Sequence, residues 1–444
     1  MSDASLSDAQ ITGLTDAAVL TDHADLADLA GFQTAFPVRP DRVVEAAGPD
    51  DVRAAVRYAA AHGLTVTVQS TGHGRGGPVE GGLLLLTRRM DEVVVDPAAR
   101  TARVGAGARW GQVVEAAAPH GLAPLNGSSP GVGVAGYLLG GGLGILGRTY
   151  GWAADHVRAL DLVTADGTLR RLTPRDELFG AVLGGGHGLG VVTSVEVGLV
   201  PAARLYGGSL AFDGAVVDPA ALLRTYARWT AELPRTLTSS LAALVYPDLP
   251  ALPPHLRGRY VLSVRVAFTG DASEGERLVA PLREAGPALS DSLRELPYAE
   301  SHTIHADPDV PHAYWGDGLL LDALDPDALA EVLWLTGPQA GRMAVVQLNH
   351  LGGALGEGAP NSVPYREAAW LVRALYPLDA EGPAPVRRLH ARVAEVLAPR
   401  TLGRAVNFAF GDRERREGLY DAGTAKRLAA VKRELDPANL FERA

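Results

Sequence analysis

The spacing of hydrophobic residues divides the first two hundred positions into short strands and amphipathic helices. Residues up to about Ala35 have an acidic, helical character, so we expect a helical lead-in there. Further along, β-branched or leucine-rich runs predict strands, while apolar residues three or four positions apart predict helices. This mixture indicates an α+β fold. The predicted strands are 43–46, 65–68, 83–86, 93–95, 101–104, 160–164, 169–172 and 191–197, and the predicted helices are 50–63 and 110–118.

The pattern changes after Ala203, where glycine becomes sparse. These later segments indicate a second domain over residues 204–398, in which helices cover one sheet. The first domain then spans residues 1–203, with its core at about 36–203, and residues 399–444 form a C-terminal segment. The predicted strands are 206–212, 241–246, 260–268 and 341–351, and the predicted helices are 219–230, 274–284, 326–333 and 421–440.

One glycine-rich loop is a candidate ligand site. It follows the predicted strand that ends at Val68, and it reads Gln-Ser-Thr-Gly-His-Gly-Arg-Gly-Gly from Gln69 to Gly77. Glycine lets backbone N–H groups approach a polyanion without obstruction by side chains. We interpret the loop as a cradle for a dinucleotide pyrophosphate, with His73 bonded to the ring of the cofactor. The alternative is a glycine-rich turn that carries an exposed histidine.

Two further segments match the dinucleotide fingerprint G-x-G-x-x-G, one starting at Gly131 and the other at Gly142. That fingerprint requires a strand directly before it and a helix opening from it. A Ser/Pro loop precedes the first match and a short helix-like segment precedes the second, so we reject a Rossmann fold. In the cluster 184–190 the order is helix, glycines and strand, which is the reverse of a Rossmann turn. These segments still indicate a backbone suited to close contact with a flat ligand.

Composition narrows the possible functions. The chain has 444 residues, which indicates two or three domains, and its formal net charge is −10 without any basic run. Nucleic acid and anionic membranes are therefore poor candidates as partners. The absence of cysteine excludes disulfides, thiolate catalysis, zinc–thiolate sites and iron–sulfur clusters. No signal peptide or membrane-spanning apolar run is evident, so a cytoplasmic location is expected.

Taken together and in this order, the glycine segments resemble those of the berberine bridge enzyme-like FAD-linked oxidases of the vanillyl-alcohol oxidase superfamily. The resemblance implies a PCMH-type FAD-binding domain of two α+β subdomains, to which residues 399–444 return. It also implies a central seven-stranded antiparallel sheet, covered by helices, that roofs the substrate cavity. The matching segments are 70–74, 131–136 with 140–144, 184–186 with 190–193, and 406–408 with 436–441.

The resemblance also implies how FAD is held. In this family the histidine that matches His73 is bonded to the 8α carbon of the flavin, so His73 is implied as the covalent anchor. Many relatives carry a cysteine where this chain has Ser129, and they attach the flavin twice. A serine hydroxyl is a poor nucleophile without a base, so we predict a single attachment. Tyr137, where histidine is frequent, and residues 187–189 are further departures from the family pattern.

The residues expected to contact FAD lie in or beside the glycine segments. Val132 matches the position that controls oxygen access in the family, and a small residue there favours an oxidase over a dehydrogenase. The alternative is that Val132 only packs beneath the ring. The expected cofactor-binding residues are Val68, Ser70, Thr71, Gly72, His73, Gly74, Gly77, Ser128, Ser129, Val132, Gly133, Gly136, Tyr137, Gly142, Gly144, Val191 and Asn407.

Polar residues of the central domain are candidates for substrate contacts. In the predicted strand 341–351, Gln347 and Asn349 share one face, and we expect them to orient the substrate. The alternative is that this face meets solvent. Tyr137 is a candidate catalytic base, since its segment should lie against the flavin.

A second group of candidates is a segment crowded with His302, His305, His312 and Tyr314. We expect a loop at the cavity mouth in which Tyr314 or a histidine could act as a base, or else a loop with a structural role only. Metal binding is not expected, because no carboxylate lies at regular ligand spacing.

These features predict an FAD-dependent oxidase that takes a hydride from a C–OH, C–NH or activated C–H bond to flavin N5 and releases H2O2. The expected substrates are a hydrophobic secondary metabolite and O2. The alternatives are a flavin-dependent monooxygenase or oxidative cyclase, and a non-redox ligand-binding or cyclase scaffold. Neither nucleic acid nor a membrane is an expected partner, and we expect a monomer or a homodimer.

Overall fold

The computed structural model describes residues 19–21, 29–250, 252–411 and 415–441. Its first elements are β1 (Val19–Thr21), β2 (Val38–Arg39), β3 (Arg42–Glu45), α1 (Pro49–His62), β4 (Val66–Gln69), β5 (Val79–Glu80) and β6 (Leu83–Leu86). Four of the strands form a sheet with the order β1-β3-β6-β4, in which β3, β6 and β4 are parallel and β1 is antiparallel to β3. Strands β2 and β5 form a separate parallel pair.

The four leucines of β6 show why this sheet lies in the interior. All four are buried. Successive side chains point to opposite faces, so Leu83 and Leu85 pack in the main core, while Leu84 and Leu86 pack in a smaller cluster on the other face. A continuous apolar run is what a parallel strand covered on both faces requires.

The helical lead-in expected up to Ala35 is wrong at residues 19–21 and 30–35, whereas Leu29 is helical. Residues 19–21 form strand β1, which pairs with residues 43–45 of β3, and residues 30–35 are not helical. Pairing with an existing sheet edge overrides the local helical character of the segment. Residues 1–18 and 22–28, on which the rest of this prediction falls, lie outside the described residues.

A second, antiparallel sheet follows along the chain. Its elements and those around it are β7 (Val93–Asp96), β8 (Thr101–Gly105), α2 (Trp110–Ala117), β9 (Leu122–Ala123), α3 (Val134–Leu139), α4 (Gly147–Tyr150), β10 (Val157–Val163), β11 (Leu169–Leu172), α5 (Glu177–Val182), β12 (Val191–Gly198) and β13 (Val200–Pro201). The strand order is β11-β10-β12-β8-β7, and β9 pairs with β13. Helix α1 contacts β6 of the first sheet and β10 and β12 of this one. The two sheets are therefore joined through one helix.

The rest of the chain contains a third, larger sheet together with the helices around it. Its elements are β14 (Arg204–Asp213), α6 (Pro219–Thr230), β15 (Leu237–Val245), β16 (Tyr260–Phe268), α7 (Ala272–Arg283), β17 (Ser290–Asp291), β18 (Arg294–Pro297), β19 (Tyr314–Leu321), α8 (Pro326–Thr336), β20 (Val345–His350), β21 (Trp370–Pro377), α9 (Pro383–Leu397), β22 (Thr401–Arg404) and α10 (Ala422–Leu435). The strand order is β17-β14-β16-β15-β20-β21-β19-β22, with β18 also paired to β14. We call this the central sheet.

The central sheet has nine strands in the described part of the chain, not the seven that were expected. One edge is split, because β17 pairs with residues 210–211 of β14 while β18 pairs with residues 204–207. The other edge gains β22, which pairs with β19. The expected antiparallel arrangement is confirmed, since every pairing in this sheet is antiparallel.

The two faces of the central sheet have different surroundings. Apolar residues on one face, such as Leu241, Val264 and Leu348, pack in a buried cluster with residues of α6, α8 and α9. Because side chains alternate along a strand, the polar residues between them point to the opposite face. That face, with Ser240, Arg265 and Asn349, lines a cavity.

The C-terminal segment returns to the first sheet. The N–H of Val66 in β4 donates to the carbonyl of Leu440 at 2.7 Å, and the side chain of Phe441 is buried. Lys432 of α10 is also buried, and its Nζ donates to the carbonyls of Gly188 and Phe441, each at 2.9 Å. One ammonium group thus links the third glycine cluster to the end of the described chain.

In the ranges that the structure describes, no helix combines the length and the apolar character that crossing a bilayer requires.

Candidate active site

The predicted ligand loop follows β4 and is held by the segment 29–35. The backbone N–H of Phe32 donates to the carbonyl of Thr71 at 3.0 Å. Gly72 has a φ of +73°, and a Cβ added there would lie 2.8 Å from the Cα of Gly31. The two segments can approach each other this closely because both positions are glycine.

His73 lies between two neighbours in this loop. Its Nδ1 is 2.9 Å from Oγ1 of Thr71, and its ring stacks on Phe32 with centroids 3.8 Å apart and planes inclined by 12°. Its Nε2 is buried and has no hydrogen-bond partner among the residues that the structure describes. Burial, and then the charges of Arg109 and His312, lower the pKa of His73 to about 4. The imidazole is therefore neutral at pH 7, and one of its nitrogens carries a lone pair.

The segment with Gly131 and Gly133 lies against this histidine. A Cβ added to Gly131 would lie 3.6 Å from Cε1 of His73 and 3.8 Å from Oγ of Ser129. A Cβ added to Gly133 would lie 3.1 Å from Oγ of Ser70, which is buried without a partner in the described part of the chain. The structure thus brings His73, Ser70 and Ser129 together around a bare glycine backbone.

Asn407 joins a further glycine loop to the C-terminal part of the chain. Its Oδ1 accepts a hydrogen bond from the N–H of Gly142 at 2.9 Å, and its Nδ2 donates to the carbonyl of Tyr137 at 3.2 Å. A Cβ on Gly140 would collide with the Asn407 amide. Asn407 therefore fixes the loop that turns around Tyr137.

Tyr137 itself is buried, with its ring packed against Gly142 and edge-on to Trp110 at a centroid distance of 5.4 Å. Its hydroxyl lies 3.5 Å from the carbonyl oxygen of Leu125. Burial, and then the neighbouring Tyr298, raise the pKa of Tyr137 well above its ordinary value. A phenol that keeps its proton near neutral pH suits the positioning of this loop better than the role of a base.

Tyr314, at the start of β19, contacts the ligand loop rather than the cavity wall. Its hydroxyl accepts a hydrogen bond from the N–H of Gly74 at 3.3 Å, and its ring is edge-on to Phe410 at 5.4 Å. Burial raises the pKa of Tyr314 as well. These contacts favour a role in holding the loop. Gly77, at the end of the loop, is buried.

Other residues predicted to contact the cofactor differ in how their side chains are placed. Val68 is 37% exposed, and Val132 is half-buried beside Gly131. Val191 is only 1% exposed and packs in the core, so only its backbone could contact a ligand. A Cβ on Gly136 would lie 3.9 Å from the ring of His187, one of the family departures noted above.

A cavity lies between the glycine loops and the central sheet. Asn349 lines it, and Gln347 is buried on the same face of β20. Oε1 of Gln347 accepts a hydrogen bond from Nη1 of Arg265 at 3.2 Å. Nε2 of Gln347 and Oδ1 of Asn349 are buried without a partner among the described residues. Further lining residues are Ser128, Gly144, Ser240, His305 and Arg373.

The histidines of the crowded segment are separated from one another. His305 lines the cavity, His302 is exposed, and His312 is edge-on to Phe32 at 5.3 Å. Within the described ranges, no group of three or more His, Cys, Asp or Glu side chains is placed to hold a metal ion.

The residues present fit a dinucleotide cofactor with a flat ring. Gly131 and Gly133 leave open backbone facing the ligand loop, where side chains would crowd His73 and Ser70. The buried, unpaired Oγ of Ser70 and Nε2 of His73 are polar atoms that such a ligand could satisfy. FAD meets both requirements.

Comparison with known proteins agrees with this fit. A family profile described as an FAD binding domain matches residues 40–173. The chain is 32% identical over 434 residues to (R)-6-hydroxynicotine oxidase of Paenarthrobacter nicotinovorans, across 91% of this chain and 90% of that protein. The chain belongs to the berberine bridge enzyme-like family of FAD-linked oxidases. Shorter stretches of this chain also match FAD-dependent monooxygenases of fungi.

Solved structures of FAD-linked oxidases share the fold. The structure of 6-hydroxy-D-nicotine oxidase from Arthrobacter nicotinovorans matches with a TM-score of 0.83 and 27% identity, over 97% of each chain. Glucooligosaccharide oxidase from Acremonium strictum, which carries a 6-S-cysteinyl, 8α-N1-histidyl FAD, matches with a TM-score of 0.81 and 22% identity, over 95% of each chain. The PCMH-type architecture expected from the sequence is thereby confirmed.

Three site residues of this FAD-linked oxidase were not predicted from its sequence. Arg265 and Arg373 line the cavity from strands β16 and β21, which are otherwise mainly apolar. A lone arginine inside an apolar strand is a signal that could have revealed them. Phe32, which stacks on His73, had no such signal, because only the tertiary fold brings its segment to the loop.

Proposed function

We propose that this protein is an oxidase that carries FAD covalently on His73, oxidises a small organic molecule in the adjoining cavity and reduces O2 to H2O2. One observation carries the proposal. A neutral imidazole with a buried Nε2 faces an open glycine backbone, beside a cavity with polar atoms that have no partner among the described residues. When bound, FAD supplies the redox chemistry, taking up two electrons from the substrate and passing them to O2.

The chain's own residues would then bind and orient the substrate and exclude water. Asn349 and Gln347 offer a carbonyl oxygen and an amide nitrogen without partners, and these suit the orientation of a substrate over the flavin. Tyr314, through Gly74, and Asn407, through Gly142, would keep the glycine loops in place. Each of these residues would therefore position either the substrate or a glycine loop.

The direct test is to precipitate the purified protein with acid and to assay the native protein for peroxide. A yellow pellet, together with peroxide release in step with substrate oxidation, is the expected result. A white pellet would overturn covalent attachment. Incorporation of an oxygen atom from O2 into the product, with little peroxide, would favour monooxygenase chemistry instead.

Ser129→Cys is expected to add a second covalent bond to the flavin. The Oγ of Ser129 and the Nε2 of His73 each lie 3.8 Å from the same point above Gly131, so a thiol there would be close to the ring that His73 holds. Glucooligosaccharide oxidase carries such a doubly linked FAD. Mass spectrometry of the flavin peptide would detect the new link. Ser128→Cys is the matched control, because the Ser128 hydroxyl donates to Asp307; a second link there too would contradict this geometry.

Val132→Leu is expected to slow reoxidation of the reduced enzyme by O2 severalfold, while the rate of reduction by substrate changes little. The half-buried Val132 lies beside Gly131, where extra bulk would narrow the approach of O2 to the ring. Stopped-flow measurement of the two half-reactions separates these rates. Equal slowing of both would indicate that the larger side chain disturbs packing instead.

Flavin attachment is expected to be insensitive to pH from about 5.5 to 8, and to fall only below about pH 5. The reason is that burial lowers the pKa of His73 to about 4, so its nucleophilic, neutral form predominates above that value. Incorporation of FAD into apoprotein, followed by fluorescence of the denatured chain, measures the profile. A midpoint near the ordinary histidine pKa of about 6.5 would show that His73 is not desolvated.

A further inference from the structure

Two arginines on the cavity face of the central sheet have few partners. Arg265 and Arg373 are both half-buried. Among the described residues, Arg265 makes one side-chain hydrogen bond, to the amide oxygen of Gln347. The guanidinium carbon of Arg373 lies 4.1 Å from the centre of the Phe408 ring, and no described residue accepts a hydrogen bond from Arg373.

Arg404, in the edge strand β22 and paired with Leu319 of the helix-covered face, shows how this fold satisfies a buried arginine. It bonds to the carboxylate of Asp317 at 2.9 Å and to the carbonyls of Arg415 and Glu417. An uncompensated charge away from water is costly, so buried charges are usually paired. Arg373 is only half-buried, but it lines a cavity and no described residue accepts a hydrogen bond from it, which points to a partner from outside the chain.

The charges around the cavity leave an excess of positive charge. Among the described residues, Asp307 is the one acid whose charge acts on both arginines. Its carboxylate accepts a hydrogen bond from Ser128, and the residue is exposed. Burial lowers the pKa of His305 to about 3 and that of Arg373 to about 10, so His305 is neutral and Arg373 charged at pH 7. Two guanidinium groups and one carboxylate leave one net positive charge.

Unpaired polar atoms surround the two arginines. Oγ of Ser240, Nε2 of Gln347 and Oδ1 of Asn349 are buried without partners in the described ranges. Ser240 is paired across the sheet with both Arg265 and Asn349, and Gln347 is paired with Arg373. These five residues, which we call the arginine patch, therefore form one polar surface. Orphaned buried polar atoms are rare in folded proteins, so several on one wall indicate a ligand.

We propose that Arg373 and Arg265 bind a carboxylate of the substrate, and that the protein oxidises an organic acid with one negative charge. This inference rests on the proposed function and adds its substrate class. The planar guanidinium presents its donors in a fork that matches a carboxylate. A monoanion would neutralise the excess charge, and the other members of the arginine patch offer further hydrogen bonds. A cationic amine would meet like charge.

The test is isothermal titration of the holoenzyme with benzoate and with benzamide, its neutral isostere. We expect benzoate to bind at least tenfold more tightly, and Arg373→Gln to weaken benzoate about tenfold to a hundredfold, as loss of a charge-assisted hydrogen bond implies. Benzamide affinity is expected to be unchanged. Arg265→Gln should weaken benzoate in the same direction. Arg235→Gln, an exposed arginine paired with Glu357, is the matched control and should change neither affinity.

The negative charge could also come from the reduced flavin. In that case Arg373→Gln would lower the midpoint potential of the bound FAD without changing the affinity for benzoate, and the proposal would be overturned. Equal binding of benzoate and benzamide, or no measurable binding of either, would overturn it as well. Titration calorimetry reports binding whether or not turnover occurs, so these outcomes are distinguishable from a failure of the proposed oxidase function.

Discussion

Replacing His73 with alanine is expected to abolish covalently bound flavin, so that acid-precipitated His73→Ala protein gives a white pellet while the parent pellet is yellow. We expect no other side chain of the described residues to take over the bond. The chain has no cysteine, Ser129 loses the neighbouring His73 imidazole as a base in this variant, and the Tyr314 hydroxyl accepts a hydrogen bond from the N–H of Gly74. Any remaining FAD should dissociate on dialysis, which absorbance of the filtrate would measure.

His302→Ala is the control for this experiment. His302 lies in the same histidine-rich part of the sequence but is exposed, so its removal should leave the pellet yellow. Loss of flavin from both variants would indicate general destabilisation. Acid-stable flavin in His73→Ala would show that another residue forms the bond, and the assignment of His73 would be wrong.

Asp317→Ala is expected to lower the free energy of unfolding by about 3–5 kcal/mol, the usual cost of removing one partner from a buried ion pair. The Asp317 carboxylate is fully buried and lies 2.9 Å from Nε of Arg404 and 3.4 Å from Nε2 of His390. Burial alone would raise the pKa of Asp317, but the neighbouring His390 and the charge of Arg404 hold it below the ordinary value. Without the carboxylate, Arg404 would be buried with an unpaired charge.

The effect of Asp317→Ala should extend to the flavin site. Arg404 also holds the carbonyls of Arg415 and Glu417, which lie beyond the segment that carries Asn407. We therefore expect slower FAD incorporation as well as a lower melting temperature, measured by calorimetry and by fluorescence of the denatured chain.

Asp322→Ala is the matched control for stability. Asp322 directly follows β19, the strand that carries Asp317, but it is exposed. Its Oδ2 lies 3.8 Å from Nη1 of Arg400. Exposed pairs contribute about 0–1 kcal/mol, so the melting temperature should change little. An equal fall in melting temperature in both variants would mean that the burial of Asp317 does not increase its contribution to stability.

The glycine segments were readable from the sequence because glycine performs a local task. Gly72 needs a positive φ and room for Gly31, and Gly133 needs room for Ser70; no other residue meets these conditions without strain. Such local requirements can be recognised from the residue types in the sequence. The same holds for strand β6, whose four leucines fill both faces of a covered sheet.

The central sheet was less readable, because strands depend on partners far away in the sequence. Strands β19 and β21 were not predicted, although they pair along eight residues of each. Glycines at 316 and 318 and the arginine in β21 break the apolar alternation on which prediction rests. Gly316 leaves room for Phe410 and Gly318 leaves room for Phe408, while Arg373 lines the cavity, so contacts outside the strands, rather than local preference, account for these residues.

By itself, the sequence determined the family, the α+β class and the loop that carries His73, because these depend on residue types at fixed local spacing. Only the tertiary structure decided what surrounds them. It stacked Phe32 on His73, joined Asn407 to the Gly142 loop and gathered Arg265 and Arg373 on one wall with an excess of positive charge. Burial and charge are sums over residues distant in sequence, so no local pattern can express them.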